Sequence, residues 1–250
     1  MAKSYTEVLE LRSCHCDMGG MWRPSAILEA MQETAAAHSA QCGLDRDTML
    51  KMGVVWILSR TKVEMKRMPS IGEKLHIETY PTAARHLFFP RSHVFRNELG
   101  DEIGCANSLW VLLDTQTRRI TMDARVLERI PDNRYLTSAA GLPATIRPLG
   151  GPVQAGTITP LYTDLDVNGH VNNTKYLDWC CNALGIKAME QSCLSRFEVN
   201  YDVEIRPDCE VQTELTREAD HLAFCGFEGG KRHFAIGGTL SPRSKSELSL

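Results

Sequence analysis

The sequence predicts an α+β protein in which one outline, a long helix followed by antiparallel strands, occurs twice along the chain. An early segment repeats its apolar residues with helical spacing, and the segments after it alternate in the manner of half-buried strands. The same order returns after a stretch rich in Pro, Gly, Ala and Ser. We therefore expect two tandem domains of the same type.

The first half begins with a predicted helix at Pro24–Gln41, PSAILEAMQETAAAHSAQ. Pro24 suits the first turn of a helix. The apolar face of this helix comprises Ile27, Leu28, Met31, Ala35 and His38. Strands are predicted at 54–65, 74–81, 86–97 and 102–114, with turns at 69–72, 97–101 and 115–117.

A change of composition marks the boundary between the halves. Residues 132–156 are rich in Pro, Gly, Ala and Ser, which predicts a linker between an N-terminal domain at 1–131 and a C-terminal domain at 157–250. The second half has a polar loop and a predicted helix at 172–186. Strands at 195–205 and 210–219 follow, and a hairpin around Gly229-Gly230 ends the outline.

The two halves can be aligned with each other. Segment 59–65, SRTKVEM, matches 195–201, SRFEVNY, and the same spacing places Leu75 on Val211. Near the helices, the dipeptide at 17–18 aligns with that at 164–165. Several weak matches in a common order indicate an internal duplication.

Polar groups present in the second half are missing from the first. Where the second half has Asp166, Asn168 and His170, the first has the run 19–22, GGMW. The alignment also places Met68 opposite Glu204. This difference predicts a reaction site in one half and an apolar pocket in the other.

The segment 162–179, YTDLDVNGHVNNTKYLDW, concentrates groups that accept, donate or move protons. Alternate residues of an extended loop project from one side, so Asp166, Asn168 and His170 can lie together, and a histidine can carry a proton near neutral pH. Asn172 or Asn173 is a suitable helix N-cap, and amide groups of the first helical turn would stabilise an oxyanion. A capped turn without catalytic role is the alternative.

Composition and charge argue against several classes of function. The net charge of −3 gives no general signal for nucleic acid. Neither a signal peptide nor an apolar membrane span is found, so we expect a cytoplasmic protein, as written or already trimmed. The nine cysteines form no CxxC pair, and the cluster at 14–16, CHC, lacks a second ligand pair. We expect reduced thiols, no metal and no cofactor.

The run 164–173, DLDVNGHVNN, with Lys175, Tyr176 and Trp179 after it, resembles the signature of acyl-acyl carrier protein thioesterases. Gly169 stands where plant members often have glutamine. The resemblance extends over most of the chain. It implies a double hotdog fold, in which each half is a long helix wrapped by an antiparallel sheet.

The same resemblance implies the site residues. Asp166, Asn168 and His170 match the catalytic residues of the motif, and Glu204 matches a glutamate of the strand after the helix. Without the resemblance, Glu204 would be interpreted as a solvated strand residue or as a residue that forms an ion pair with Arg206. The sequence departs from the family at Ile205, where a once-proposed catalytic cysteine would stand.

The reaction implied is hydrolysis of the thioester between a fatty acyl chain and the phosphopantetheine arm of acyl carrier protein, which releases free fatty acid and ends chain synthesis. Two routes are open. Glu204 and His170 could position and deprotonate a water, or Asp166 could attack directly and form a transient acyl anhydride, with Asn168 and His170 orienting it.

The resemblance places the acyl chain mainly in the N-terminal domain, beside a degenerate site, and the chemistry in the C-terminal domain. The candidate lining residues are Met21, Trp22, Ile27, Met31 and Trp56. For each of these residues plain core packing is the alternative.

Acyl carrier protein is strongly acidic, so we expect a basic docking surface for it. The candidates are Arg60, Lys62, Lys66, Arg67, Arg118 and Arg119. No nucleic acid or membrane partner is expected, and association of two chains into a homodimer is left open.

Three other functions compete with this one. A hotdog enoyl-thioester hydratase has a loop resembling Asp-x-Asn-Pro-x-His, whereas here His170 follows Asn168 by two residues and the proline is missing. In a non-catalytic lipid carrier, the polar loop would merely cap a helix. An acyl-CoA thioesterase would differ only in the carrier.

Overall fold

The computed structural model describes residues 3–243; residues 1–2 and 244–250, at the ends of the two predicted domains, lie outside the described residues. The strands are β1 Tyr5–Glu10, β2 Val54–Met65, β3 Lys74–Pro81, β4 Phe89–Arg96, β5 Glu102–Asp114, β6 Ile120–Thr121, β7 Val153–Ile158, β8 Ser192–Tyr201, β9 Val211–Glu218, β10 His221–Glu228 and β11 Lys231–Pro242. The α-helices are α1 Pro24–Gln41, α2 Arg46–Lys51, α3 Ala124–Leu127, α4 Lys175–Leu184 and α5 Ile186–Gln191.

All of these strands belong to one antiparallel sheet, in the order β1-β3-β4-β5-β2-β8-β11-β10-β9-β7, with β6 on the side of β5. Read from one end, the sheet begins β1-β3-β4-β5-β2; read from the other end, it begins β7-β9-β10-β11-β8. Each strand of β7–β11 therefore occupies the same place in its half as the corresponding strand of β1–β5. At the centre, β2 pairs with β8, and Lys62 lies opposite Glu198. On either side, Arg60 faces Asn200 and Glu64 faces Arg196. The duplicated halves therefore join edge to edge around a pseudo-twofold axis.

The helix α1 has the bounds that the sequence predicts. Pro24 occupies its first turn, where the missing backbone N–H costs nothing. Its buried side chains include Ile27, Leu28, Met31 and Ala35, which the helical spacing places on one face. α1 packs against β3 and also contacts α4 of the other half.

The helix of the second half is shorter than predicted. α4 begins at Lys175 and ends before Gly185, whose φ of +85° is a conformation that favours glycine. Residues 186–191 then form the separate helix α5. No helix within residues 3–243 combines the length and apolar character needed to cross a membrane.

One hydrophobic core runs through both halves. The cluster includes Trp22 and Phe95 from the first half and Phe197, Phe224 and Phe234 from the second, all almost fully buried. Trp22 and Phe95 meet edge to face with ring centroids 5.5 Å apart. Because the two halves share this core, burial of apolar surface holds them together in addition to the β2–β8 pairing.

The outer strands differ from the sequence-based expectation. The sequence did not predict β1, because the burial of its residues does not follow their polarity. The charged Glu7 is half-buried, whereas the apolar Val8 is 59% exposed. β7 begins at Val153, inside the segment predicted as linker, because its side chains are nearly all exposed and give no alternating pattern. The remaining linker, 132–152, contains neither helix nor strand and crosses β8, where Ala144 N–H donates to Glu198 Oε2 at 2.7 Å.

Candidate active site

Backbone hydrogen bonds fold residues 165–171 into a tight loop. The N–H of Asp166 donates to the carbonyl of His170 at 2.9 Å, and the N–H of Gly169 donates back to the carbonyl of Asp166 at 3.0 Å. Gly169 has a φ of +76°, a region where a side chain would be strained. The carboxylate of Asp166 accepts the N–H of Asn168 at 2.8 Å and the side-chain amide of Asn168 at 3.2 Å. Asp166 therefore organises the loop.

The loop carries His170 to Glu204. Nε2 of His170 lies 3.5 Å from Oε1 of Glu204, and both side chains are about one-third exposed. The sequence predicted Glu204 on a strand, but the residue lies in the loop that follows β8. A backbone hydrogen bond of 2.9 Å from Val171 N–H to the carbonyl of Ile205 fixes the two loops against each other. The imidazole and the carboxylate are thus positioned by their backbones.

Three exposed arginines surround these groups. Nη2 of Arg118 and of Arg206 lie 3.6 Å and 4.0 Å from Oε1 of Glu204. Arg46, at the start of α2 in the other half, donates from Nη2 to Oδ1 of Asn168 at 3.5 Å. The site is therefore built by both halves and has a cationic rim.

The predicted docking cations are mostly paired elsewhere. Lys62 contacts Glu64 at 3.0 Å, Lys66 contacts Glu102 at 2.7 Å, and Arg67 contacts Glu73 at 2.6 Å. Among the six candidates, Arg118 contacts Glu204, and within residues 3–243 neither Arg60 nor Arg119 has a side-chain hydrogen bond or ion pair with the polar loop. The sequence indicated Arg206 as a possible ion-pair partner of Glu204, and the structure brings the two side chains to 4.0 Å. It missed Arg46, because only the fold brings α2 beside the polar loop.

A cavity of about 850 Å³ lies in the first half and reaches Asn168 of the polar loop. Its wall includes Trp56, Phe89 and Trp110 from three neighbouring strands. Trp56 and Phe89 meet edge to face with centroids 5.0 Å apart. This volume falls within the range of about 300–1,000 Å³ typical of small-molecule sites.

Most of the residues predicted to line the acyl-chain pocket do not line this cavity. Trp56 does border it. Met21, Trp22, Ile27 and Met31 are not part of its wall among the described residues; they are at most 4% exposed and packed in the interior. Ile27 and Met31 lie on the inner face of α1, whereas Met21 and Trp22 precede the helix, and all four side chains are packed in the core.

Small residues of α1 make room for the cavity instead. The wall contains five of them, in the last two turns of the helix: Ala35, Ala36, Ala37, Ser39 and Ala40. Their short side chains leave a gap between the helix and the strands beneath. The run TAAAHSAQ was the sequence signal for this gap, but it became informative only with the sheet in place.

Two further expectations concern the start of α4 and position 205. The N–H groups of Asn172, Thr174 and Lys175 already have acceptors, at 2.8, 3.1 and 2.9 Å, so these amides are not free for an oxyanion. Asn172 does cap this turn, because its Oδ1 accepts the Thr174 N–H.

Ile205 is fully buried in the core, so a side chain at this position points away from the polar loop.

Beneath the loop, Tyr176 is almost fully buried and stacks on Phe234 with centroids 4.5 Å apart. Burial raises the pKa of Tyr176 well above its usual value, and the charge of Asp166 adds to this rise. The phenol is therefore neutral at physiological pH and forms the floor of the loop rather than a proton donor to solvent.

Solved structures with this architecture define the class of fold as two tandem hotdog domains. An acyl-ACP thioesterase from Bacteroides thetaiotaomicron superposes with a TM-score of 0.86 at 22% identity, covering 96% of this chain and 98% of that one. The 12:0-ACP thioesterase from Umbellularia californica superposes with a TM-score of 0.84 at 23% identity, covering 97% and 99%.

Sequence profiles then identify the family. The profile of the acyl-ACP thioesterase N-terminal domain matches residues 2–131, and that of the C-terminal domain matches residues 153–228. The chain belongs to the acyl-ACP thioesterase family.

Plant relatives show the same relationship. The chloroplastic dodecanoyl-[acyl-carrier-protein] hydrolase of Cinnamomum camphora is 26% identical over 208 residues, which is 76% of this chain and 53% of the relative. The chloroplastic oleoyl-acyl carrier protein thioesterase 1 of Arabidopsis thaliana is 25% identical over 268 residues, or 99% of this chain and 71% of the relative. The chain spans about half the length of plant hydrolases such as the first.

Proposed function

We propose that this protein hydrolyses the thioester of fatty acyl-acyl carrier protein and releases the free fatty acid. The observation that carries the proposal is the 3.5 Å contact between Nε2 of His170 and Oε1 of Glu204. His170 lies on the polar loop, and Asn168 of the same loop borders the apolar cavity. An imidazole beside a carboxylate can take a proton from water, and the cavity can hold the acyl chain. The plant relatives' names describe the same reaction on acyl carrier protein.

The water route fits the positions of these groups. Glu204 orients the imidazole and stabilises its protonated form, and His170 removes a proton from a water that attacks the thioester carbonyl carbon. The tetrahedral intermediate then collapses, the carbon–sulfur bond breaks, and His170 returns the proton to the departing thiolate. Asn168, at the edge of the cavity, is placed to hold the acyl group in register with this water.

The presence of an aspartate at position 166 can also be explained without a catalytic role. In the first half, Asp17 accepts the N–H groups of Gly19 and Met21 at 2.9 and 3.2 Å, where no histidine is present. Asp166 makes the corresponding bonds to Asn168 and His170. Loop geometry alone therefore requires the aspartate, and this favours the water route over direct attack by Asp166.

Solvent oxygen-18 in the carboxylate of Asp166 is diagnostic of the anhydride route, because water that attacks the aspartyl carbon of the anhydride leaves its oxygen there. In a single turnover, the water route places the label in the released fatty acid and leaves Asp166 unlabelled. Peptide mass spectrometry that finds oxygen-18 in the Asp166 carboxylate would instead establish the acyl anhydride route.

The cationic rim supports a phosphorylated, acidic carrier. Arg46, Arg118 and Arg206 are each more than 60% exposed at the mouth of the site. Attraction between such a rim and an acidic protein weakens as salt screens it. We expect rising salt to lower kcat/KM steeply with an acyl-carrier substrate and only slightly with a small uncharged thioester; equal salt dependence would contradict carrier docking.

Thiol release tests the reaction itself. We expect the protein to free a thiol from acyl-acyl carrier protein, and His170→Ala to lower kcat by about a hundred- to ten-thousandfold. His221→Ala, a change at an exposed histidine on β10, serves as the control and should keep full activity. An enoyl thioester that gains water without releasing thiol would indicate a hydratase, and no turnover of any thioester would indicate a lipid carrier.

The carrier can be compared in the same assay. A lower kcat/KM with acyl-CoA than with acyl-acyl carrier protein of the same chain is the expected result. The reverse preference would make coenzyme A the carrier.

A further inference from the structure

A cationic side chain borders the otherwise mostly apolar cavity. Arg91, on β4, is half-buried because part of its surface faces the hollow. Its Nη1 lies 3.0 Å from Nδ1 of His38 on α1 and 3.3 Å from Oγ1 of Thr79 on β3. Because a guanidinium only donates, Nδ1 of His38 acts as the acceptor in this contact.

Arg91 has no carboxylate partner within residues 3–243, and both of its hydrogen bonds there come from Nη1. Burial lowers the pKa of Arg91 to about 10, so it stays charged at neutral pH. The donors on Nε and Nη2 are left for whatever occupies the cavity. A plain hydrocarbon chain offers them no acceptor, and an unsatisfied buried donor is costly.

The other half has no polar group at the matching position. Arg91 lies opposite Ser108 on β5, and its counterpart by strand register, opposite Gly238 on β11, is Leu222. Leu222 is 2% exposed and belongs to the core cluster. The guanidinium is thus not required by this fold at this position; it occurs in the half that contains the cavity.

A second basic residue follows two positions later on the same face of β4. His93 is 1% exposed, and its Nε2 lies 3.1 Å from the carbonyl of Met31. Its Nδ1 has no hydrogen-bond partner within residues 3–243. His93 also borders a hollow of about 10 Å³ whose wall shares Gln32 and Trp110 with the main cavity. An unused ring nitrogen of His93 therefore lies beside this small hollow, which adjoins the main cavity through Gln32 and Trp110.

We propose that Arg91 forms a polar subsite in the cavity, and that the protein prefers acyl chains bearing an oxygen function, such as a hydroxyl or carboxylate, over unsubstituted chains of the same length. This inference rests on the proposed thioester hydrolysis. The oxygen accepts from Nε or Nη2 of Arg91, while the rest of the chain packs against Trp56, Phe89 and the alanines of α1.

A matched series of substrates tests the subsite. Dodecanoyl-acyl carrier protein is compared with hydroxydodecanoyl carriers that have the hydroxyl near the thioester, at mid-chain or at the methyl end, and with a carrier ending in a carboxylate. We expect at least one oxygenated chain to show a kcat/KM about ten- to a hundredfold above dodecanoyl, because a charge-assisted hydrogen bond contributes this much. Arg91→Met should remove the preference, and Arg91→Lys should retain part of it.

The control is Arg96→Met, on the same strand, where Arg96 pairs with Glu78 at 2.9 Å and does not border the cavity within the described residues. It should keep the wild-type preference. The proposal is overturned if the wild type favours dodecanoyl over every oxygenated chain, or if the preference survives in Arg91→Met. Circular dichroism verifies that both variants fold.

Binding separates failure of this inference from failure of the proposed reaction. Trp56 and Trp110 lie in the cavity wall, so their fluorescence reports occupancy without turnover. Methyl hydroxydodecanoate should bind more tightly than methyl dodecanoate in the wild type and equally in Arg91→Met; methyl esters are used because the carboxylate of a free fatty acid would itself bind Arg91. If dodecanoyl carrier is hydrolysed but this difference is missing, only the subsite is wrong; if nothing is hydrolysed and the difference is present, only the reaction is wrong.

Discussion

The loops 17–22 and 166–171 share the same backbone hydrogen bonds but carry different side chains. In the first, Asp17 N–H donates to the carbonyl of Met21 at 2.8 Å and Gly20 N–H donates to the carbonyl of Asp17 at 2.9 Å, as Asp166, Gly169 and His170 do in the second. The structure therefore pairs Asp17 with Asp166, whereas the sequence alignment placed it on Asp164. The aspartate and glycine set the loop shape in both copies.

The difference lies in a few side chains. Gly19 stands where the second loop has Asn168, and Met21 stands where it has His170. Trp22 N–H donates to the carbonyl of Pro69, just as Val171 N–H donates to Ile205, so Met68 occupies the position of Glu204. The same loop backbone therefore accommodates Asn168 and His170 in one copy and Gly19 and Met21 in the other.

The two aspartates also have different surroundings. The guanidinium of Arg243 binds Asp17 through both carboxylate oxygens, and the two side chains are only 10% and 20% exposed. Arg243 additionally donates to the carbonyl of Met189 at 2.7 Å. The loop 17–22 is thereby tied to the second half by an ion pair, whereas within residues 3–243 Asp166 has none.

The largest effect is expected at the paired positions 204 and 68. Glu204→Gln removes the charge that stabilises the protonated imidazole, and we expect kcat to fall by about a hundredfold or more. The matched change Met68→Gln, in the inert copy, should leave kcat unchanged. Steady-state thiol release measures both, and equal losses in the two variants would contradict the assignment of chemistry to one half.

The next effect concerns stability. Asp17→Asn keeps an acceptor for the loop amides but leaves Arg243 largely buried without a counter-charge, so we expect the free energy of unfolding to drop by about 3 kcal/mol. Asp166→Asn, without an ion pair to lose, should cost about 1 kcal/mol or less. Urea denaturation compares the two, and similar losses would show that the Arg243 pair contributes little.

A smaller effect follows pH. Burial, with a contribution from the charge of Arg91, lowers the pKa of His93 to about 3, whereas an unfolded histidine titrates near 6.5. Below pH 6.5 the unfolded state takes up a proton that the folded state refuses, so stability falls as pH drops. Between pH 7 and 5 we expect a loss of up to about 2 kcal/mol.

The control for this pH effect is His93→Gln, which keeps a donor for the Met31 carbonyl and does not titrate. Its free energy of unfolding should change less over the same pH range. Carboxylates with lowered pKa values, such as Glu73, lose their contribution at lower pH, so the window above pH 5 isolates the histidine. Parallel curves for the two proteins would rule out His93 as the source.

The smallest effect is on product distribution. Ala37→Leu adds bulk to the cavity wall, and we expect the released fatty acids to shift toward shorter chains with little loss of stability. Ala124→Leu, at an exposed site on α3, is the control and should leave the profile unchanged. Gas chromatography of fatty acids from expressing bacteria measures both; an unchanged profile for Ala37→Leu would place the acyl chain elsewhere.

Much of the fold could be predicted because its long elements carry strong periodic signals. α1, β2, β3 and β5 have the predicted bounds. β1 and β7 escaped prediction because they are edge strands: Glu7 points inward toward the hydroxyl of Thr34, 3.3 Å away, and β7 is almost wholly exposed. A hydrophobic pattern cannot reveal a strand whose inward residues are polar or whose faces are both solvated.

The polar loop was predictable from its motif, since Asp166, Asn168 and His170 are close in sequence. The cavity was not, because it is defined by what is missing: small residues of α1 over strands that meet only in the folded sheet. Trp22 and Ile27 were expected to line a pocket, yet both are fully buried in the core. The contact of Arg46 with Asn168 likewise depends on the joining of the two halves.

The β2–β8 junction has an evolutionary consequence. In an assembly of two identical chains, every substitution appears in both copies, so neither a cavity nor a loop side chain can be changed in one copy alone. Covalent joining of the two units into one polypeptide removes this constraint. Here Met21 and Met68 of the first unit stand where the second has His170 and Glu204, the cavity lies in the first unit, and Phe224 and Phe234 are buried in the core of the second. Differences of this kind between the copies require that their sequences can change independently, as they can in a fused chain.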